Sequence, residues 1–105
     1  MHSISNKYIY TINEITSLVA PIARAYGAKR VALFGSYARG DAKPGSDIDL
    51  HIDKGKIKGL FQLAGFQREI EGKFSVPVDV LTTGALSEEF LSRIKGEEVV
   101  LYEQK

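Results

Sequence analysis

Three aspartates stand in two short stretches that read as strands. Asp47 and Asp49 lie two residues apart in SDIDLHID, and Asp79 follows in PVDVL. Residues two apart in a strand point to the same face, with their Cα atoms roughly 6–7 Å apart. Carboxylates held so close repel one another unless a cation lies between them. Oxygen ligands suit Mg²⁺ or Mn²⁺ better than zinc, so the pattern predicts a divalent metal site.

The position of the third aspartate decides which chemistry such a site could perform. If the strand of Asp79 pairs beside that of Asp47 and Asp49, the three carboxylates share one face and could hold two ions. Two ions roughly 3.5–4 Å apart clamp the attacking and leaving oxygens in phosphoryl transfer. Aspartate is disfavoured in strands and often marks a solvent-exposed or turn position, and on these residues alone that alternative stays open.

A glycine-serine pair follows the first predicted strand, in LFGSYARG. Gly35 allows the backbone to approach a ligand closely, and Ser36 offers a hydroxyl and an N–H. A following helical turn would direct its N-terminus at the same point, which favours an anion. Arg39 could add charge toward a triphosphate or brace the loop by pairing with Asp41. The segment lacks the Gly-Lys-Ser/Thr ending of a P-loop, and by itself such a pair is more often a simple turn.

Helices and strands that would position these residues can be located from their patterns. Thr11 and Glu14 form a capping box before an amphipathic helix that Gly27 would end, while Pro21 predicts a kink or a break in it. Apolar spacing predicts a second helix from about Leu60 to Phe74, and Ser87 would cap a third. Strands are predicted at residues 30–34, 47–53, 76–82 and 99–103.

This order of elements predicts an α+β fold, with a small mixed sheet of three to four strands and helices packed mainly on one face. Ile48, Leu50 and Ile52 would point into the core, opposite the acidic face. His51 shares the acidic face; it either reaches the edge of the site or, more commonly for such a residue, is partly exposed and pairs with a nearby acid. Asp53 lies farther out and is predicted to be a strand-end residue.

Composition indicates an ordinary globular domain. The 105 residues predict a single domain, 1–105, with 44% apolar and 26% charged residues. A net charge of +1 argues against duplex DNA as a partner, and the absence of cysteine fits a reducing compartment. No run of 18 apolar residues or signal peptide is evident, so no membrane association and a cytoplasmic location are expected. Residues 1–10 read as a loose or partly helical lead-in.

Three motifs in order carry a resemblance to a known family. Gly35-Ser36, ten residues, and then Asp47-Ile48-Asp49 resemble the signature of the DNA polymerase beta-type nucleotidyltransferase superfamily, and VDVLT resembles the segment with its third carboxylate. LFGSYARG, SDIDL and the short length are most similar to minimal nucleotidyltransferases. The resemblance implies the nucleotidyltransferase fold. It also implies that Gly35 and Ser36 hold a triphosphate and that Asp47, Asp49 and Asp79 bind two Mg²⁺ ions, with Asp79 helping to deprotonate the acceptor.

Many members of that family are antitoxins encoded beside a HEPN-domain ribonuclease toxin. The resemblance therefore implies transfer of AMP from ATP to a tyrosine of such a toxin, in a hetero-oligomer with it. The chain ends soon after Asp79, so we expect no added acceptor-binding domain and an open site. Two alternatives stay open: an antitoxin that neutralises its partner by contact alone, and an RNA or antibiotic nucleotidyltransferase with a separate acceptor subunit.

Overall fold

The computed structural model describes residues 8–105. Its four strands form one sheet in the order β3-β2-β1-β4. β1 is antiparallel to both β2 and β4, whereas β2 and β3 are parallel, so the sheet is mixed as predicted. The strands are β1 (Arg30–Phe34), β2 (Ile48–Asp53), β3 (Val78–Thr82) and β4 (Val99–Glu103). Asp47 thus lies just before β2 rather than inside it, and β3 begins two residues later than predicted.

Within residues 8–105, four α-helices and one 3₁₀ turn complete the chain order and confirm the α+β class. The helices are α1 (Ile12–Tyr26), α2 (Ser36–Arg39), α3 (Gly59–Glu71) and α4 (Glu88–Lys95), and the 3₁₀ turn is Thr83–Ala85. α3 ends before the predicted limit at Phe74. Residues 8–10 of the predicted lead-in have no regular structure, and residues 1–7 lie outside the described part. No helix within residues 8–105 is long and apolar enough to cross a membrane.

The first helix confirms its predicted ends but not the predicted break. Thr11 Oγ1 accepts from the Glu14 backbone N–H at 3.0 Å, and Glu14 Oε1 accepts from the Thr11 backbone N–H at 2.8 Å. Gly27 ends the helix with φ 77°, a conformation that glycine adopts without strain. α1 continues through Pro21 as one element, so a break there is wrong. Burial of one apolar face against the sheet outweighs the backbone hydrogen bond that proline cannot donate.

The two faces of the sheet have different roles. Ile48, Leu50 and Ile52 are fully buried, which confirms them as core residues, and they pack in one cluster with side chains from α1 and α3. The opposite face carries Asp49, which pairs with Phe34 of β1 in the antiparallel register. There α4 approaches the sheet, with the rings of Phe34 and Phe90 edge to face at 5.8 Å. Among the described residues, helices therefore cover mainly one face and leave most of the acidic face uncovered.

Candidate active site

Two of the predicted acidic residues meet directly across neighbouring strands. Asp49 of β2 and Asp79 of β3 are register partners in the parallel pair, so their side chains share one face. Asp47 directly precedes β2, and its carboxylate lies close enough to raise the pKa of Asp49. Asp49 is half-buried, whereas Asp47 and Asp79 are exposed. The structure thus brings the predicted carboxylates to one edge of the acidic face.

The pKa of Asp49 is shifted by its burial and by the charged groups around it. Burial and then the neighbouring carboxylates of Asp79 and Asp47 together raise the pKa of Asp49 to about 6, while Arg39 opposes the shift. A bound cation would remove this repulsion, and a set of carboxylate oxygens suits a hard divalent ion. Within residues 8–105, however, no three acidic or histidine side chains are drawn together into a ready-made metal site. The donor chemistry fits a metal, although the side chains would have to converge on it.

The predicted anion loop packs against the carboxylate of Asp49. Gly35 has φ 79°, in the left-handed region, and a Cβ built on it would lie 2.4 Å from Asp49 Oδ2. Only glycine therefore fits this close approach without displacing the carboxylate. Ser36 is half-buried and opens α2, and its carbonyl accepts from the N–H groups of Gly40 and Asp41, each at 3.0 Å. The loop is thereby held as a compact turn beside the acids.

Arg39 pairs with acids on two sides of the loop. Its guanidinium lies 3.4 Å from Asp41 Oδ2 and 3.4 Å from Glu97 Oε1. The bracing interaction considered from the sequence is thus present. The side chain is 49% exposed, so a ligand could still reach it.

Glu97 is a residue of this site that sequence reasoning missed. It lies in the turn between α4 and β4, and its Oε2 accepts a hydrogen bond from the backbone N–H of Gly35 at 2.8 Å. The two residues are 62 positions apart in the chain, and no local motif marks the contact. Its carboxylate also raises the pKa of Asp49, as the smallest of the contributions to that shift.

A cavity of about 270 Å³ opens beside the loop. Its walls combine apolar side chains of β1 and α4 with charged groups of the loop and of the turn after α4: Phe34, Gly35, Arg39, Phe90, Arg93, Ile94 and Glu97. The Arg93 guanidinium lies over the Phe90 ring, 5.2 Å from its centroid. The cavity therefore places a second guanidinium near the candidate anion loop.

His51 belongs to a separate polar network behind the acids. Its Nδ1 contacts the Glu98 carboxylate, and its Nε2 lies 2.8 Å from Thr83 Oγ1. Thr83 in turn donates to Asp53 at 2.9 Å, and Arg30 lies 3.2 Å from Glu98. The expectation that His51 pairs with an acid is confirmed. Its predicted partial exposure is wrong, since it is 8% exposed: Glu98 and the turn after β3 close over it.

Comparison with known proteins places this geometry in a family. The family described as "Nucleotidyltransferase domain" matches residues 17–102, most of the chain. This chain belongs to the nucleotidyltransferase domain family. The nucleotidyltransferase is 40% identical over 88 residues to a Methanocaldococcus jannaschii protein named "Putative protein adenylyltransferase", covering 84% of this chain and 95% of that protein. The enzyme class implied by the sequence motifs is thereby confirmed.

Solved structures share the fold of this nucleotidyltransferase. A "putative minimal nucleotidyltransferase" is 27% identical, with a TM-score of 0.74 over 86% of this chain and 95% of that one. A toxin-antitoxin with AMP-PNP gives a TM-score of 0.72 at 16% identity, over 86% of this chain and 74% of that one. The third is a complex of a tri-AMPylated Shewanella oneidensis HEPN toxin with an MNT antitoxin. It gives a TM-score of 0.67 at 14% identity, over 90% of this chain and 74% of that one. The last two similarities concern the fold alone.

Proposed function

We propose that this nucleotidyltransferase transfers AMP from ATP to a tyrosine of a HEPN-domain toxin and thereby acts as its antitoxin. The observation that carries the proposal is the meeting of Gly35 with Asp49, which lies beside Asp79. An anion loop in contact with paired carboxylates is what transfer of a nucleotide from a triphosphate requires. The names of the related adenylyltransferase and of the AMPylated toxin complex support AMP as the transferred group and a HEPN toxin as the acceptor. The tyrosine is the acceptor that the resemblance to minimal nucleotidyltransferases implies. The cytoplasmic location expected from the sequence is part of the same proposal.

Gly35, Ser36 and Arg39 are assigned to the triphosphate. Close approach of the backbone at Gly35 leaves room for phosphate oxygens, and Ser36 offers its hydroxyl and N–H at the start of α2. Arg39 is half-exposed and could move from its present acidic partners onto a phosphate. Hydrogen bonds between charged partners of this kind are about twice as strong as neutral ones. ATP as the nucleotide is supported by the neighbouring fold that was solved with AMP-PNP.

Asp47, Asp49 and Asp79 are assigned to divalent metal, with Mg²⁺ as the first choice and Mn²⁺ as a substitute. When bound, such ions would neutralise the triphosphate and stabilise the leaving pyrophosphate. Asp49 is held firmly, because it sits inside β2 between Phe34 and Asp79. Asp79 is exposed, so its carboxylate can reach an acceptor hydroxyl and take its proton.

The exposure of the acids favours a macromolecular acceptor. Asp47 and Asp79 both lie on the open part of the acidic face. A small acceptor would need a pocket that encloses it, whereas a tyrosine on a protein surface brings its own complementary contacts. In the proposed reaction the tyrosine oxygen attacks the α-phosphorus of ATP. The bond to the bridging oxygen breaks, pyrophosphate leaves, and the tyrosine proton passes to Asp79.

Intact mass spectrometry of a mixture tests the proposal. The nucleotidyltransferase, the HEPN-domain toxin proposed as its partner, ATP and Mg²⁺ should yield a partner that is heavier by whole AMP units, with one pyrophosphate released per unit. An ATP analogue with a methylene group between the α- and β-phosphates should give no addition. Addition of ADP or phosphate instead of AMP, or no addition at all, would refute AMP transfer.

A further inference from the structure

The carboxylate of Glu97 occupies the two groups that are assigned to the triphosphate. Its Oε2 accepts from the Gly35 N–H at 2.8 Å, and its Oε1 lies 3.4 Å from Nη1 of Arg39. A carboxylate and a phosphate accept hydrogen bonds from the same donors, a backbone N–H and a guanidinium. One acidic side chain thus satisfies both donors from within the chain.

We propose that Glu97 competes with the triphosphate for Gly35 and Arg39, and so sets the affinity of the enzyme for its nucleotide. This inference rests on the proposed function, because it takes Gly35 and Arg39 to be phosphate contacts. A bound nucleotide must displace the Glu97 carboxylate before its own oxygens reach these donors. The displaced carboxylate then adds a negative charge near the triphosphate, which also weakens binding.

The surroundings of Glu97 allow its side chain to move while its backbone stays fixed. The N–H groups of Glu97 and Glu98 donate to the Ile94 carbonyl at 2.9 and 3.0 Å, which closes the turn after α4. The Glu98 side chain is anchored by Arg30 and by His51. Glu97 itself is 26% exposed and borders the cavity of about 270 Å³ beside the loop. Rotation of one side chain therefore frees the Gly35 N–H and Nη1 of Arg39, while Nε of Arg39 stays paired with Asp41.

Competition of this kind favours ligands with several phosphates. A triphosphate neutralised by Mg²⁺ can replace both contacts of Glu97 and add others, whereas a small anion exchanges one charged acceptor for another and gains little. Removal of Glu97 should therefore strengthen binding of Mg²⁺–ATP. A residue that merely braces the loop would have the opposite effect, since its loss would loosen the phosphate contacts.

Titration calorimetry of the full chain with ATP in excess Mg²⁺ separates these two roles. Glu97→Ala should lower the Kd by at least about threefold, the worth of one hydrogen bond, because the two contacts of Glu97 no longer have to be displaced. Glu97→Gln should shift the Kd in the same direction but less, because its amide still accepts from Gly35. Glu89→Ala is the matched control, since it removes one acid from an exposed position of α4. Its Kd should stay within about twofold of that of the unaltered chain.

An unchanged or higher Kd for folded Glu97→Ala would overturn the inference and make Glu97 a brace of the loop. If Glu97→Ala fails to fold, the direction in which Glu97→Gln shifts the Kd decides between the two roles.

Ser36→Ala tests the underlying assignment of the triphosphate site, because this variant should weaken Mg²⁺–ATP binding. If the unaltered chain binds no Mg²⁺–ATP, or Ser36→Ala binds it normally, the assigned triphosphate site itself is wrong. If Ser36→Ala weakens binding and Glu97→Ala fails to strengthen it, only the competition is refuted.

Discussion

The backbone of Gly35 lies so close to Asp49 that a methyl group on its Cα would come within 2.4 Å of the Asp49 carboxylate. Gly35 directly follows β1, and Asp49 lies on the neighbouring strand β2, where it is the register partner of Asp79 on β3. The predicted anion loop and the predicted metal carboxylates are therefore parts of one site. A nucleotide seated on the loop would have its phosphates beside the acids.

Replacement of Gly35 by alanine tests this contact. The added methyl group must push Asp49 aside, and φ 79° is strained for alanine. We expect a loss of about 1–2 kcal/mol in the free energy of unfolding, with at least a tenfold weaker affinity for Mg²⁺–ATP. Chemical denaturation and titration calorimetry measure the two effects.

Gly45→Ala is the matched control for backbone strain. Gly45 has a similar φ of 86°, but nothing lies within 4 Å of an added Cβ there. Gly45→Ala should lose less stability than Gly35→Ala, because it has the backbone strain without the clash, and it should keep its affinity for Mg²⁺–ATP. Equal affinity losses in the two variants would mean that the close approach to Asp49 has no role in nucleotide binding.

The metal assignment predicts how ATP binding depends on Mg²⁺. Asp47, Asp49 and Asp79 bring negative charge to the place where the triphosphate would sit, so ATP alone should be repelled. Titration of the chain with ATP should give a much higher Kd in EDTA than in excess Mg²⁺, with Mn²⁺ replacing Mg²⁺. The same Kd in both conditions would speak against a metal held by these carboxylates.

The raised pKa of Asp49 predicts how stability varies with pH. The pKa is about 6 in the folded protein, against an ordinary value of 3.8. Between these values the unfolded chain releases the proton that the folded chain keeps, so rising pH favours unfolding. Above about pH 6 the loss is complete, and after allowance for solvent screening at this half-buried group it amounts to about 1–2 kcal/mol.

Asp49→Asn removes this titration and should stabilise the metal-free protein. The gain in unfolding free energy, measured by denaturation in EDTA, should be smallest near pH 4, grow up to about pH 6 and then level off. The ordinary value of 3.8 and the raised value near 6 define that window. A gain that does not change between pH 4 and pH 7 would show that burial and the neighbouring carboxylates do not penalise the charge of Asp49.

The sequence was sufficient for the parts of this site that local patterns determine. Alternation in SDIDLHID placed Ile48 in the core and Asp49 on the acidic face, and the capping box at Thr11 located the start of α1. The pairing of Asp49 with Asp79 was predictable because only the alignment of two adjacent strands had to be assumed. Local hydrogen bonding and side-chain periodicity leave few alternatives at such positions.

Contacts between distant segments were not predictable. Nothing around Glu97 indicates that it reaches Gly35, since the contact depends on how α4 and the turn after it lie beside the end of β1. The sequence predicts partial exposure for His51, because Glu98 and Thr83, which cover its side chain, lie far from it in the chain. The helix break predicted at Pro21 does not occur, because burial of α1 against the sheet outweighs the local effect of proline.

AMP transfer to the partner by the double variant Asp47→Asn, Asp49→Asn tests the central claim most directly. Asparagine keeps the shape of both side chains and removes the charge that would hold metal, so the fold and binding to the HEPN-domain partner should survive. After incubation with ATP and Mg²⁺, intact mass spectrometry should show whole AMP units on the partner with the unaltered chain and none with the folded double variant. The double variant should also fail to relieve toxicity in cells. AMP units added by the double variant, or protection equal to that of the unaltered chain, would contradict the account and leave contact alone as the means of neutralisation.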